Sequence, residues 1–276
     1  MVVANRMRSE RRSLLVRGLT LGVLMGACWA SARPTQAQHS AVDYYKQGNV
    51  WSEKKEFDRA IADYDQAIKL DPNYVDAYNN RGLAWNEKKE YDRAIADLDR
   101  AIKLDAKYTK AYYNRGVSWN GKGEYDRAIA DYNQAIKLAP KYTKAYSNRG
   151  FAWRNKKQYD RAIADYNQAL EIDPQFIQAY GNLAWLQATC PDARFRDGPK
   201  AFENANRAYQ LSGGKDAAYI DTLAGAYAEN GDFEKAKQWQ AKAIDLLTDE
   251  KEKAAFRSRL RLYEQEKPYR TEPQPR

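Results

Sequence analysis

The sequence predicts an all-α chain in which helix hairpins stack one on the next as an α-solenoid. Three observations predict it. The first is a period. The run Ala111-Tyr112-Tyr113-Asn114-Arg115-Gly116 returns 34 residues earlier as Ala77-Tyr78-Asn79-Asn80-Arg81-Gly82, and 34 later as Ala145-Tyr146-Ser147-Asn148-Arg149-Gly150. A fixed period of this size marks a stacked array, which grows one repeat at a time. The second is spacing within each unit. Tyr78, Gly82 and Trp85 lie on one helical face, and Tyr91, Ala94, Leu98 and Ala101 on another, with small residues where helices must approach. The third is punctuation. Asp71-Pro72 and Ala139-Pro140 stop the second helix, because proline lacks the N–H and disfavours helix in the residue before it.

The chain opens on an address. Arg6, Arg8, Arg11, Arg12 and Arg17 precede an apolar run from Gly18 to Ala30, and Ala30-Ser31-Ala32 is a small-x-small cleavage site. Residues 1–32 are therefore expected to be a signal peptide and 33–40 a linker, with Thr35-Gln36-Ala37 as a second possible cut. The expected location is exported, either periplasmic or secreted. Arg11-Arg12 resembles a twin-arginine signal, but no cofactor is implied, so the general secretory route is preferred. Leu24 to Cys28 resembles a lipoprotein box, which makes a lipid anchor at Cys28 a second option.

Four equal units follow at 41–74, 75–108, 109–142 and 143–176. In the second, Asp105-Ala106 replaces the proline, so a softer stop is expected. The fifth unit, 177–216, carries an extended turn from Cys190 to Pro199, and two prolines and a glycine make it a defined loop. The sixth is 217–247. Thr248-Asp249-Glu250 caps a last helix over 248–265, with Phe256, Leu260 and Tyr263 on its inner stripe, as a solenoid end requires. Residues 266–276 are proline and charge and are expected to form a flexible tail.

Composition narrows the function. Net charge is +9, of which residues 1–32 carry +4, and the remainder interleaves both signs. That is no track for nucleic acid. Mean hydropathy is −0.87, so no membrane span is expected in the mature chain. One histidine, His39, and two cysteines, Cys28 and Cys190, leave little for a metal site or a nucleophile–base pair, so no cofactor and no enzyme are expected.

Tyr112, Gly116, Trp119, Tyr125, Ala128, Tyr132, Ala135 and Pro140, with their equivalents in register, resemble the tetratricopeptide repeat family. The resemblance implies a right-handed superhelix of about six hairpins plus a C-terminal capping helix. It also implies that the first helix of each hairpin (A) lines the concave face and the second (B) the convex face. Arg81, Arg115 and Arg149 stand where that family usually has a buried leucine. They are read as structural, each stem along a helix interface and each head on Asp97, Asp131 or Asp165.

On the implied concave wall, Asn80, Asn114, Asn148 and Asn182 recur two residues before the repeat's Gly or Ala. They resemble the asparagine ladder of peptide-binding superhelices in the family. An amide can donate to and accept from a peptide bond. Helices pack roughly 8–10 Å apart and an extended peptide advances ~3.3 Å per residue, so one rung could serve about every third residue. The bland reading is that these amides are merely solvated. Tyr45, Asn49, Lys110, Tyr113, Lys144, Phe151 and Trp185 complete the expected ligand groove, with Tyr113, Phe151 and Trp185 as an apolar strip, the alternative for Phe151 and Trp185 being packing on the neighbouring A helix. Lys110 and Lys144 resemble part of the family's clamp for chaperone C-termini, but Tyr45 and Asn148 depart from it, and that partner is rejected. The expected function is non-catalytic binding of a protein or extended peptide segment in the groove. The alternative is an envelope protein binding polysaccharide or peptidoglycan on Tyr45, Tyr113 and Trp185.

Overall fold

The structure is a computed structural model that describes residues 39–271. The expected signal peptide, its cleavage sites, a lipid anchor at Cys28, most of the linker and residues 272–276 lie outside the described residues. The described residues from Ala41 onward form one compact unit.

Thirteen α-helices make up the described residues. They pair as α1 (Ala41–Glu53) with α2 (Phe57–Leu70), α3 (Val75–Glu87) with α4 (Tyr91–Leu104), and α5 (Thr109–Gly121) with α6 (Tyr125–Leu138). Next come α7 (Thr143–Asn155) with α8 (Tyr159–Ile172), α9 (Ile177–Thr189) with α10 (Gly198–Leu211), and α11 (Ala217–Glu229) with α12 (Phe233–Leu246). Helix α13 (Glu250–Glu264) closes the stack. Six hairpins and a cap helix are the fold class that the period predicts.

Each second helix touches the first helix of its own hairpin and that of the next, while successive first helices also touch one another. The spacing between repeats is therefore shorter on the first-helix side. Helices α1, α3, α5, α7, α9 and α11 line the inner curve.

Small residues set the closeness of packing. Ala60, Ala94, Ala128 and Ala162 are fully buried between helices. A Cβ added at Gly48 or Gly116 would stand 2.6 Å from the ring of Tyr64 or Tyr132, so only glycine lets those rings lie on the helix backbone. The second-helix stop in the second unit is not softer. Helix α4 ends at Leu104 in the register of Leu70 and Leu138, and the Asp105 carboxylate accepts from the Lys107 N–H at 2.8 Å as Asp71 accepts from Asn73 at 2.9 Å beside Pro72, so the aspartate closes the same turn with or without proline.

The recurring arginines are structural. Arg115 donates through Nε and one terminal nitrogen to both Asp131 oxygens, at 2.8 and 2.6 Å, and through the other to Asp99 at 2.5 Å. One guanidinium thus joins α5 to α6 and to α4. Arg81 does the same with Asp97 and Asp65, and Arg149 with Asp165 and Asn133. Burial pushes the Asp131 carboxyl up, and hydrogen bonds from Arg115 and Trp119 draw it back. Arg127, on the same helix as Asp131, lies over the Trp119 ring instead.

The tail departs from expectation. Through Thr271 it is docked on the solenoid rather than loose. The Thr271 N–H donates to the Thr189 carbonyl at 2.9 Å, and Arg270 pairs with Glu229 at 2.7 Å. Proline and charge here mark an extended segment that finds partners, not a frayed one.

Candidate functional site

The inner wall divides into a half whose amides are bonded to one another and a half that holds a pocket. In the first half the asparagines do not stand free. Asn80 Nδ2 donates to Asn49 Oδ1 at 2.8 Å and to the Tyr45 hydroxyl at 3.1 Å, and the Tyr64 hydroxyl donates to the same Asn49 oxygen at 2.8 Å. Asn79 donates to Asn80, and Asn114 Nδ2 donates to Asn79 Oδ1 at 2.8 Å. Asn148 Nδ2 donates to the Tyr113 hydroxyl at 3.0 Å. Successive first helices are close enough for each amide to reach the previous repeat. Amides at such a contact lose water and must find a partner there.

This corrects the ladder. Asn114 is buried and cannot meet a ligand, and the amide N–H groups of Asn80 and Asn148 are already engaged. Asn182, half-buried on the wall, forms none of these bonds. The rungs of the first half are stitches between repeats.

Tyr45 and Tyr113 are tied down as well. Tyr45 packs on Tyr74 at 4.9 Å and Tyr64 at 6.0 Å between ring centres, and Tyr113 packs equally on Tyr142 and Tyr132. Burial pushes the Tyr113 hydroxyl up. Lys110 and Lys144 are exposed and form no ion pair among the described residues. Leu83, Val117, Phe151 and Trp185 share one register, 34 residues apart, and all are half-buried. They form an apolar strip, from which Leu83 escaped notice because its type differs from the aromatics, although the period places it. Arg154 lies 4.8 Å over the Phe151 ring.

The second half holds the pocket. A cavity of about 330 Å³ opens between α7, α9 and α11, lined by Asn148, Gln178, Asn182, Trp185, Tyr219 and Thr222 among others. Gly181 on its wall makes room for the Tyr219 ring. A Cβ there would fall 2.6 Å from the Tyr219 ring, so glycine lets Tyr219 lie against α9. The carboxamides of Gln178 and Asn182 can donate to and accept from a main chain in both directions, while Asn148 keeps its amide on Tyr113 and borders the pocket. Gln178 was legible, since it stands in the register of Lys110 and Lys144. Tyr219 and Thr222 were not, because the extended turn of the fifth unit breaks the period before them.

Trp185 borders the pocket but is not an open platform. The Tyr269 ring packs on it at 5.8 Å, and the Arg259 guanidinium lies 5.6 Å from its centre. Arg259 is held by Asp221 at 2.7 Å, which also accepts from Gln240 at 2.7 Å. Burial pushes the Asp221 carboxyl up, against the pull of Arg259 and Gln240. Neither Arg259 nor Tyr269 carried a sequence signal for the groove, because both come from beyond the last repeat.

The long turn is a brace. A 3-10 turn, Ala193–Phe195, follows Asp192, whose carboxylate accepts from the Arg194 N–H. Arg196 donates to Glu229 at 3.1 Å and to the Cys190 carbonyl at 2.9 Å, and Phe195 packs on Tyr159 at 5.3 Å. The loop thus ties α8 and α11 to the fifth hairpin. Cys190 is buried there, and burial pushes its thiol up. Among the described residues no cluster of histidine, cysteine and acidic side chains could hold a metal ion, and no helix is long and apolar enough to cross a membrane.

The chain resembles solved structures with the same architecture. One is the Cut9–Hcn1 hetero-tetramer of the APC/C, at a TM-score of 0.71 and 17% identity over 80% of this chain and 43% of that one. Yeast Tom70 matches at 0.61 and 18%, over 82% of this chain and 47% of that one. A double mutant of MamA matches at 0.54 and 20%, over 64% of this chain and 97% of that one. These likenesses concern the fold. No curated protein matches. Models of the tetratricopeptide repeat match residues 75–108, 109–142, 143–176 and 217–246, and a further TPR repeat model matches 48–85. The spans 75–108, 109–142 and 143–176 coincide with three of the 34-residue units and the matches together cover more than half of the chain, so the chain belongs to the tetratricopeptide repeat family.

Proposed function

We propose that this chain is a non-catalytic protein-binding scaffold of the cell envelope or the extracellular space. It holds an extended polypeptide segment on its inner wall at α7, α9 and α11. The observation that carries the reading is the pocket of about 330 Å³ lined by the carboxamides of Asn148, Gln178 and Asn182. The amides of Gln178 and Asn182 offer main-chain hydrogen bonds, and the part of the strip from Leu83 to Phe151 offers apolar contact. Export rests on the basic, apolar and small-residue order of residues 1–32. The glycan reading has less support. Tyr45, Tyr113 and Trp185 each pack against another aromatic ring, and a sugar platform needs a free ring face.

The test is selection from a random peptide library on the intact chain. Enriched peptides are expected to lose about fivefold to about a hundredfold in affinity when Gln178 and Asn182 are both changed to alanine, since each lost hydrogen bond is worth roughly 0.5–1.5 kcal/mol. Asn114→Ala is a poor control because it breaks a buried bond, so Lys137→Ala on α6 serves instead. Equal binding by the doubly changed and unchanged chains, at equal helicity, would sink the reading.

A further inference from the structure

Residues 267–271 leave α13 without secondary structure and run back across the inner wall to α9. Their contacts are those of a bound peptide. Tyr269 lies on Trp185 with Arg259 beside it. Arg270 pairs with Glu229 at 2.7 Å and donates to the Ala188 carbonyl at 3.2 Å. The Thr271 N–H meets the Thr189 carbonyl at 2.9 Å, and the two hydroxyls stand 2.7 Å apart. Pro268 lowers the cost of holding the segment extended.

Nothing in this set requires the segment to be joined to α13. The wall supplies an aromatic plate, a half-buried acid and two main-chain carbonyls. Any extended segment presenting an aromatic, then a basic residue, then threonine meets the same groups. The acid does not depend on the tail alone, since Arg196 also pairs with Glu229 at 3.1 Å. Glu229 therefore keeps a cationic partner when the tail leaves.

We propose that the α9–α11 end of the groove is a docking site for an extended aromatic–basic–threonine segment, and that residues 267–271 of this chain are its resident occupant. A partner carrying that pattern binds by displacing them. The proposal rests on the groove reading above and names the chemistry that one end of the groove selects. A short tether holds its segment at an effective concentration of about millimolar. If the tail is seated about nine-tenths of the time, an outside ligand sees its affinity fall about tenfold.

The experiment compares the full chain with a chain ending at Glu266, after circular dichroism shows equal helicity. The probe is a fluorescently labelled, C-terminally amidated peptide of residues 266–271, read by polarisation. The shortened chain is expected to bind it at least about tenfold more tightly than the full chain, and the same peptide with Tyr269→Ala is expected not to bind. A full-length Tyr269→Ala, Arg270→Ala variant, which keeps the tail but loosens it, is expected to bind the unchanged peptide like the shortened chain. The proposal is overturned if the folded shortened chain fails to bind, or if full and shortened chains bind equally. The two readings fail separately. Loss of the tail peptide with retained Gln178- and Asn182-dependent library binding sinks the docking site alone. Tail binding without library binding keeps the docking site and sinks the carboxamide pocket.

Discussion

Asp131→Ala isolates what the recurring arginine does. Asp131 takes two hydrogen bonds from Arg115, at 2.8 and 2.6 Å, and its side chain is 8% exposed. Removing one partner of a buried pair costs about 3–5 kcal/mol when the other charge is left stranded. Arg115 is not wholly stranded. It keeps Asp99 at 2.5 Å, and its own side chain is 21% exposed. The expected cost is therefore lower, about 2–3 kcal/mol. Arg115→Leu is expected to cost as much, because it strands the more deeply buried Asp131. The double variant removes both charges and lays an apolar stem on the α4–α5–α6 interface. It is expected to lie within about 1 kcal/mol of the unchanged chain, since an apolar replacement of a buried pair is often neutral. The coupling between the two sites is then at least about 3 kcal/mol. Urea unfolding followed by far-ultraviolet circular dichroism reads the totals. Hydrogen exchange of α5 and α6 amides reads the local loss, which matters in a stack where each repeat contacts only its neighbours. The reasoning is refuted if Asp131→Ala costs less than about 1 kcal/mol, or if the double variant loses the sum of the singles.

Two further outcomes follow from packing and burial. Gly116→Ala places a Cβ 2.6 Å from the Tyr132 ring and is expected to destabilise by about 1–3 kcal/mol, read as a lower urea midpoint. An unchanged midpoint would mean that the ring has room to move. Burial pushes the hydroxyls of Tyr64 and Tyr166 up to about 12. Below pH 10, roughly the unfolded value, both states hold these protons and stability is complete. As pH rises from there toward 12 only the unfolded chain ionises, so stability is expected to fall across that window. Urea midpoints from pH 8 to 12, set beside phenolate absorbance, check it, and a flat profile through pH 12 contradicts it.

The sequence by itself determined the hairpins, their number and their stacking. The period repeats the same local signals, and each hairpin is closed by contacts within one unit or with the next. It also determined the role of Arg81, Arg115 and Arg149, because an acid recurs with each arginine at a constant distance along the chain. The fate of the asparagines was decided only by tertiary structure. Whether an amide faces a ligand or a neighbour depends on the gap between successive first helices, and that gap is set by buried glycines and alanines acting together. Asn80, Asn114 and Asn148 fell on the near side of that distance and became stitches. Asn182 lines the pocket together with Gly181 and Tyr219. The tail shows the same division. Its composition reads as loose chain, since no local signal records a partner some eighty positions away. Only the curvature of the array brings Thr189 and Trp185 to Thr271 and Tyr269.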